Sequence, residues 1–406
     1  MPITTPTRTH TPTPPSSNRK LKTGIHLGTR GNDWPSVSLE RLRGTQQGSW
    51  PAAVMVLSSN VYTIVRSGPG CTVSDVQVAN WNVFDFLRDA AVNGVKILIR
   101  LHPSPGNFED ALNPNSSTLQ HRLIFDSPTR TPENSTFCDG REQIFRTIDD
   151  LAREMHLIHD RNQQGGWSEF GFEPANEPND EWYRGQDVHI SDQRAWTDMN
   201  GYFSNLYDYM HATYPGIRAL TPTMSQNLYA ETRQFSTCNP MVVAGTNQSG
   251  YQLMNSTYTA KNDGFAWHNY WRHSYEAWDN IFCAGNNPPS GDHIFQYFPT
   301  SMQSTILASG KLAFITEADL FSPCQWGSTV TNKDNQAQET ADSLRLFVAA
   351  EAGADIVIGW LLTNGQGEPT HPPTCHDSNS EMAWHEAWRD DGGERTWFPL
   401  WWSAPE

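Results

Sequence analysis

Short apolar runs recur along the chain, each followed by a polar stretch and then by a segment of helical periodicity. Eight runs stand out, at 24–28 (GIHLG), 52–57, 95–101 (VKILIRL), 170–175, 217–221, 264–268, 312–316 and 355–361. Each is short, apolar and often β-branched, the pattern of strands buried on both faces. Apolar residues at helical spacing lie between them, at 83–92, 141–159, 196–211, 293–308 and 336–352; the second carries Ile144, Ile148, Leu151, Met155 and Ile158. Four joints from helix to strand carry a glycine, at Gly94, Gly216, Gly310 and Gly353. A glycine just past a helix suits a left-handed cap.

Eight such strands alternating with helices predict parallel pairing through right-handed crossovers. Eight is also the number that closes a (β/α)8 barrel, so the expected fold class is α/β, a (β/α)8 TIM barrel with long βα loops. An open doubly wound sheet is the alternative, but no glycine-rich phosphate loop follows the first strand. The long polar stretches, 102–140, 176–195, 222–262, 269–292 and 318–335, all follow strands. In such barrels the chemistry sits at that rim. No internal repeat of fixed period is present.

Composition narrows the classes. The 406 residues hold 28 Lys and Arg against 44 Asp and Glu, a net charge of -16. Nucleic acid and anionic lipid both call for a basic footprint, so neither is the expected partner. No apolar run reaches the ~18 residues of a membrane span. Charged residues make up only 18% although mean hydropathy is -0.59, so the polarity comes from Ser, Thr, Asn, Gln and Gly. Sixteen Trp in such a chain suit a protein that handles carbohydrate, because sugars stack on aromatic faces.

Six cysteines, Cys71, Cys138, Cys238, Cys283, Cys324 and Cys375, include no CxxC pair. That spacing argues against zinc ribbons and thioredoxin-like motifs, and loop disulfides or scattered thiols both remain open. Residues 2–17 hold six Thr and five Pro, too little apolar surface to fold. Residues 1–22 are expected as a disordered Thr/Pro-rich linker and 23–406 as the catalytic domain. Met1 runs straight into this tract, as expected of a secreted or cell-surface chain whose signal has been removed. Sequons stand at Asn115, Asn134, Asn247 and Asn255.

The candidate chemistry lies in two carboxylates. The fourth strand runs into Glu173-Pro174-Ala175-Asn176-Glu177-Pro178, and the seventh ends at Phe314-Ile315-Thr316-Glu317. Two strands therefore deliver a Glu to one rim. Hydrolysing an acetal needs two carboxyls flanking one bond, one to protonate the leaving oxygen and one to attack or stabilise the oxocarbenium carbon. Environment splits their pKa values, and a neighbouring Glu317 charge is expected to keep Glu177 protonated. Glu173 is read as a structural ion-pair partner, with a place beside the site as the alternative. Asp319 and Glu169 are read as structural, and His156 and His159 as surface residues of a helix.

With Trp267-His268-Asn269-Tyr270 on the sixth strand and Trp360 on the eighth, the chain resembles glycoside hydrolase clan A, and within it the cellulase-like family 5. The resemblance spans roughly residues 24–400. It implies Glu177 as acid/base and Glu317 as nucleophile. It also implies Asn176 on the sugar 2-hydroxyl, His268 shaping the site, Tyr270 bonding the nucleophile, Trp360 flooring the cleavage subsite and His102 on the rim. Two departures stand out. Glu173-Pro174 intrudes where family 5 is more apolar, and the second strand ends without the Arg that bonds the nucleophile. Arg30, after the first strand, or Arg100, on the third, is the expected substitute. Trp271, with Trp34, Trp278 and Trp326, is a candidate sugar platform, with ordinary loop packing as the alternative. The tryptophans at 384, 388, 397, 401 and 402 are read as tail packing.

The implied activity is retaining hydrolysis of a β-linked polysaccharide such as a glucan or mannan, a reaction that calls for no metal or organic cofactor. Endo action is preferred, with an exo-acting β-glycosidase or a catalytically silent carbohydrate-binding barrel as alternatives. The expected partner is a poly- or oligosaccharide bound by a monomer.

Overall fold

A computed structural model describes residues 22–27, 50–58, 62–66, 73–78, 81–101, 170–181, 189–224, 242–272, 293–296, 303–320 and 354–359. Its strands are β1 Lys22–His26, β2 Ala53–Leu57, β3 Tyr62–Arg66, β4 Val73–Val78, β5 Lys96–Arg100, β6 Phe170–Glu173, β7 Arg218–Ala219, β8 Gly264–Arg272, β9 His293–Gln296, β10 Leu312–Leu320 and β11 Ile356–Gly359. The helices are α1 Trp81–Val92, α2 Pro178–Glu181, α3 Gln193–Thr213, α4 Gly250–Leu253, α5 Asn255–Thr259 and α6 Gln303–Ser309.

All eight expected strands form, and they pair in parallel in the order β7-β6-β5-β2-β1-β11-β10-β8. The two ends of that run meet. Leu220, just past β7, bridges Gly264 of β8 in parallel. The Thr221 N–H donates to Gly264 O at 3.0 Å, and the Asp263 N–H donates to Ala219 O at 2.7 Å. This seam is one bridge rather than a ladder, and it completes a barrel whose strands follow chain order. Gly264 suits the seam: a Cβ there would stand 2.8 Å from Leu220 Cδ2 and 2.9 Å from Leu312 O.

The period of two divides each strand between two buried faces. Ala53 and Met55, Leu98, Leu220, Ala266, Phe314, Ile356 and Ile358 pack together as one cluster. The alternate residues Val54, Val56, Ile97, Ile99, Phe265 and Ile315 are equally buried on the other face. Helix α3 buries Ala195, Trp196, Met199, Tyr202, Phe203, Leu206 and Met210, a stripe at helical spacing. The expected left-handed glycines are present at Gly94, Gly216 and Gly310.

Three elements differ from expectation. The segment expected as one helix over 293–308 is instead strand β9 followed by α6. Residues 293–296 pair antiparallel with β8, from Arg272 opposite His293 to Asn269 opposite Gln296. HIFQ is polar at its ends and apolar between them, and an available edge on the overlong β8 outweighs its helical spacing. β3 and β4 form an unexpected antiparallel hairpin after β2. The stretch 222–262, expected as a polar rim, includes α4 and α5; a capping box between Ser249 and Gln252 opens α4. The expected helices at 141–159 and 336–352, all six cysteines and residues 1–21 lie outside the described residues. Among those residues no helix is long and apolar enough to cross a membrane.

Candidate active site

The strands of this barrel end in polar side chains at one rim. Arg100 closes β5 and Glu173 closes β6, and the two are register partners, so they share a face. Both are buried, at 1% and 0% exposure. Arg100 Nη2 donates to Glu173 at 3.3 Å (Oε1) and 3.2 Å (Oε2). The Thr223 hydroxyl, four residues past β7, donates to Glu173 Oε1 at 2.5 Å.

Glu317 reaches the same place through an irregularity. β10 pairs with β8 as Ile315 opposite Trp267 and then Glu317 opposite His268, so Thr316 is an extra residue in the ladder. Such a bulge re-aims the side chains beyond it. Its effect is to put Glu317 level with His268. Arg100 Nη1 donates to Glu317 Oε1.

Glu177 arrives differently. It lies just beyond β6, next to Pro178 at the start of α2, and its φ is +38°. Positive φ is uncommon outside glycine, and a following proline restricts the backbone further. Strain of this kind persists where the surroundings over-determine it, and it concentrates at functional sites.

His268, fully buried, joins the two acids. Its Nδ1 is 3.0 Å from Glu177 Oε1 and 3.6 Å from Glu317 Oε2. Those two oxygens can stand no farther apart than these distances laid end to end. On the other side of the ring, Nε2 is 3.0 Å from Arg100 Nη2. A guanidinium has only donors, so Nε2 accepts and the ring proton sits on Nδ1, facing the carboxylates.

The electrostatics pull in two directions. Burial lowers the His268 pKa and Arg100 lowers it further, but the Glu317 charge and the bond to Glu177 hold it above the ordinary 6.5. An imidazolium would have to point Nε2–H at the Arg100 donor. The contact geometry therefore favours the neutral ring while Arg100 stays in place. Burial is the largest influence on Glu173 and keeps its pKa above 4.5, against the pull of Arg100, His268 and Thr223.

The sequence candidates divide accordingly. Glu177, Glu317 and His268 are brought together. Asn176 is half-buried beside Glu177. Tyr270 and Trp271 lie near the end of β8, in register with Asp319 and Leu320 of β10 on one side and with Phe295 and Ile294 of β9 on the other. His102, Arg30 and Trp360 lie outside the described residues. Of the two arginines offered for the missing strand-two Arg, Arg100 bonds Glu317. Thr223 is not singled out by sequence; a lone hydroxyl past a two-residue strand carries no periodic signal. Among the described residues no group of three or more His, Cys, Asp or Glu is arranged to hold a metal.

No protein-family model matches the chain, and no curated protein matches it. Solved structures do. The YdhT protein from Bacillus subtilis is 14% identical, with 84% of this chain and 80% of that one covered, at a TM-score of 0.48. A Bacillus subtilis mannanase is 14% identical, with 90% and 84% covered, at 0.47. An endo-1,4-β-mannanase from Eisenia fetida is 16% identical, with 95% and 96% covered, at 0.44.

Proposed function

We propose that the protein is a retaining glycoside hydrolase of the clan A type that cleaves a β-linked polysaccharide, acting within the chain. Glu317 attacks the anomeric carbon while Glu177 protonates the departing oxygen. Glu177 then takes a proton from water, which releases the glycosyl-enzyme. Once Glu317 is esterified its charge is gone, and Glu177 is free to act as base.

One observation carries this reading: Glu177, just past β6, and Glu317, on β10, meet at a single nitrogen of His268. The resulting limit on their separation lies at the bottom edge of the ~6.5–9.5 Å that an inverting pair needs to admit water. It accommodates the ~5–5.5 Å of a retaining pair. The His268 Nδ1–H steadies Glu177 Oε1 and leaves the other oxygen for the leaving group. Arg100 offsets the charge of Glu317. Asn176 is proposed for the sugar 2-hydroxyl, and Tyr270, Trp271, Trp360, His102 and Arg30 for further contacts. The chain is proposed to act as a secreted or cell-surface monomer behind its Thr/Pro-rich start, in keeping with its acidic, Trp-rich composition.

Product analysis on β-glucans, mannans, xylans and galactans tests the proposal, with Glu317→Ala and Glu177→Gln alongside. Oligosaccharides from one polymer, retained anomeric configuration in early products and loss in both variants are expected. A mechanism-based glycosyl fluoride should label Glu317. Monosaccharide as the sole product points to exo action. No product and no label would leave a carbohydrate-binding barrel.

A further inference from the structure

Glu173 is a third carboxylate at the site, and the proposed reaction gives it no step. A buried carboxylate beside an arginine is commonly just an ion pair, and its removal then costs stability alone. Three features here go further. Arg100 uses one nitrogen, Nη2, for both Glu173 and His268 Nε2, and the other, Nη1, for Glu317. Thr223 holds Glu173 Oε1 from the far side. The parallel register of β5 with β6 aligns the two strand ends. The bonds therefore form one connected network around Arg100, in which each donor is fixed by chemistry. Thr223 and Arg100 donate to Glu173, Arg100 donates to His268, and His268 donates to Glu177.

We propose that Glu173 is a positioning residue for glycosidic cleavage: it holds the Arg100 guanidinium so that Arg100 both shares its charge with Glu317 and fixes the His268 proton on the nitrogen facing Glu177. This rests on the function proposed above. A rigid planar fork bonded on several edges is pre-organised, and Glu173 supplies an anchor that is neither of the reacting carboxylates. Without it, more of the Arg100 charge falls on Glu317. A carboxylate held closer to a cation is a weaker base and a weaker nucleophile. Arg100 would also leave Nε2, and His268 would then be free to take a second proton. Among the described residues, the groups facing Glu173 are Arg100 from β5, His268 from β8, Glu317 from β10, Thr223 past β7 and Tyr258 from α5.

The test is Glu173→Gln, which keeps the shape and removes the charge, beside Glu173→Asp and Thr223→Val. On the polymer that the wild type cleaves, kcat should fall by about tenfold or more with KM nearly unchanged, and the acid limb of the pH profile should move down by about one unit. Thr223→Val should move both in the same direction by less, and Glu173→Asp should recover part of the loss. Nitrogen-15 NMR of the His268 ring supplies a readout independent of turnover. The wild type should show Nδ1–H with a bare Nε2, and Glu173→Gln should gain a proton on Nε2. A kcat, acid limb and ring state like the wild type, with only lowered stability, would overturn the proposal. If Glu173→Gln does not fold, an unmoved acid limb and ring in Thr223→Val overturn it equally. A wild type that cleaves nothing refutes the proposed function instead, and the NMR arm still decides whether Glu173 sets the ring.

Discussion

Removing the arginine while leaving its partners should show how much of this rim is held by charge. Arg100 is 1% exposed and bonds Glu173 and Glu317, which are 0% and 5% exposed. Arg100→Met keeps most of the stem volume and strands both carboxylates in a buried setting. Breaking a buried pair from one side costs about 3–5 kcal/mol at neutral pH. Glu173→Gln leaves Arg100 paired with Glu317 and keeps an acceptor for Thr223, so its cost should be smaller, about 1–3 kcal/mol. In the double variant one stranded charge is gone. Its cost should fall short of the sum of the singles by about 1–3 kcal/mol. Urea unfolding followed by tryptophan fluorescence supplies all four values. The cost of Arg100→Met should also shrink near pH 5, where the stranded carboxylates can take protons. Additivity within about 0.5 kcal/mol, with no pH effect, would refute the reasoning.

Three further expectations concern this rim and the contact between α3 and α4. Glu173 has a folded pKa above 4.5, so the folded state keeps a proton that the unfolded chain has released. Its contribution is full below that value and is lost as pH rises through the window above 4.5. The stability advantage of wild type over Glu173→Gln should therefore shrink as urea midpoints are taken at rising pH; an advantage that grows would refute this. At position 177, with φ of +38°, Gly should be more stable than Ala by about 1 kcal/mol, since both lose the same side-chain bond; equal unfolding midpoints would deny the strain. Gly250→Ala would drive a Cβ into the Trp196 ring, whose Nε1 is anchored on Ile190 O, so a loss of at least about 1–3 kcal/mol is expected in thermal or urea unfolding.

Much of this molecule could be read along the chain, because strands buried on both faces must be apolar without a break. VKILIRL announced β5, and AAVMVL announced β2, whatever they pack against. Helix α3 was announced by its stripe, and its end by Gly216. The same local reading named Glu177 and Glu317, since each lies just past an apolar run that had to be a strand. It failed at HIFQ, where the edge of β8 overrode helical spacing, and at the β3–β4 hairpin, which no alternation announced.

What the tertiary structure alone decided is which groups meet. Arg100, Glu173, His268 and Glu317 lie far apart in sequence, and only barrel closure brings their strand ends to one rim. Strand parity would have assigned Glu317 a neighbour other than His268; the extra residue at Thr316 sets the pairing. The choice of Arg100, and its division between two carboxylates, depends on the β5–β6 register, which no single strand encodes. Local sequence determines which segments become strands and helices, because burial and propensity act residue by residue. Charges act through space, so the partners of each ionised group are determined by the packed barrel.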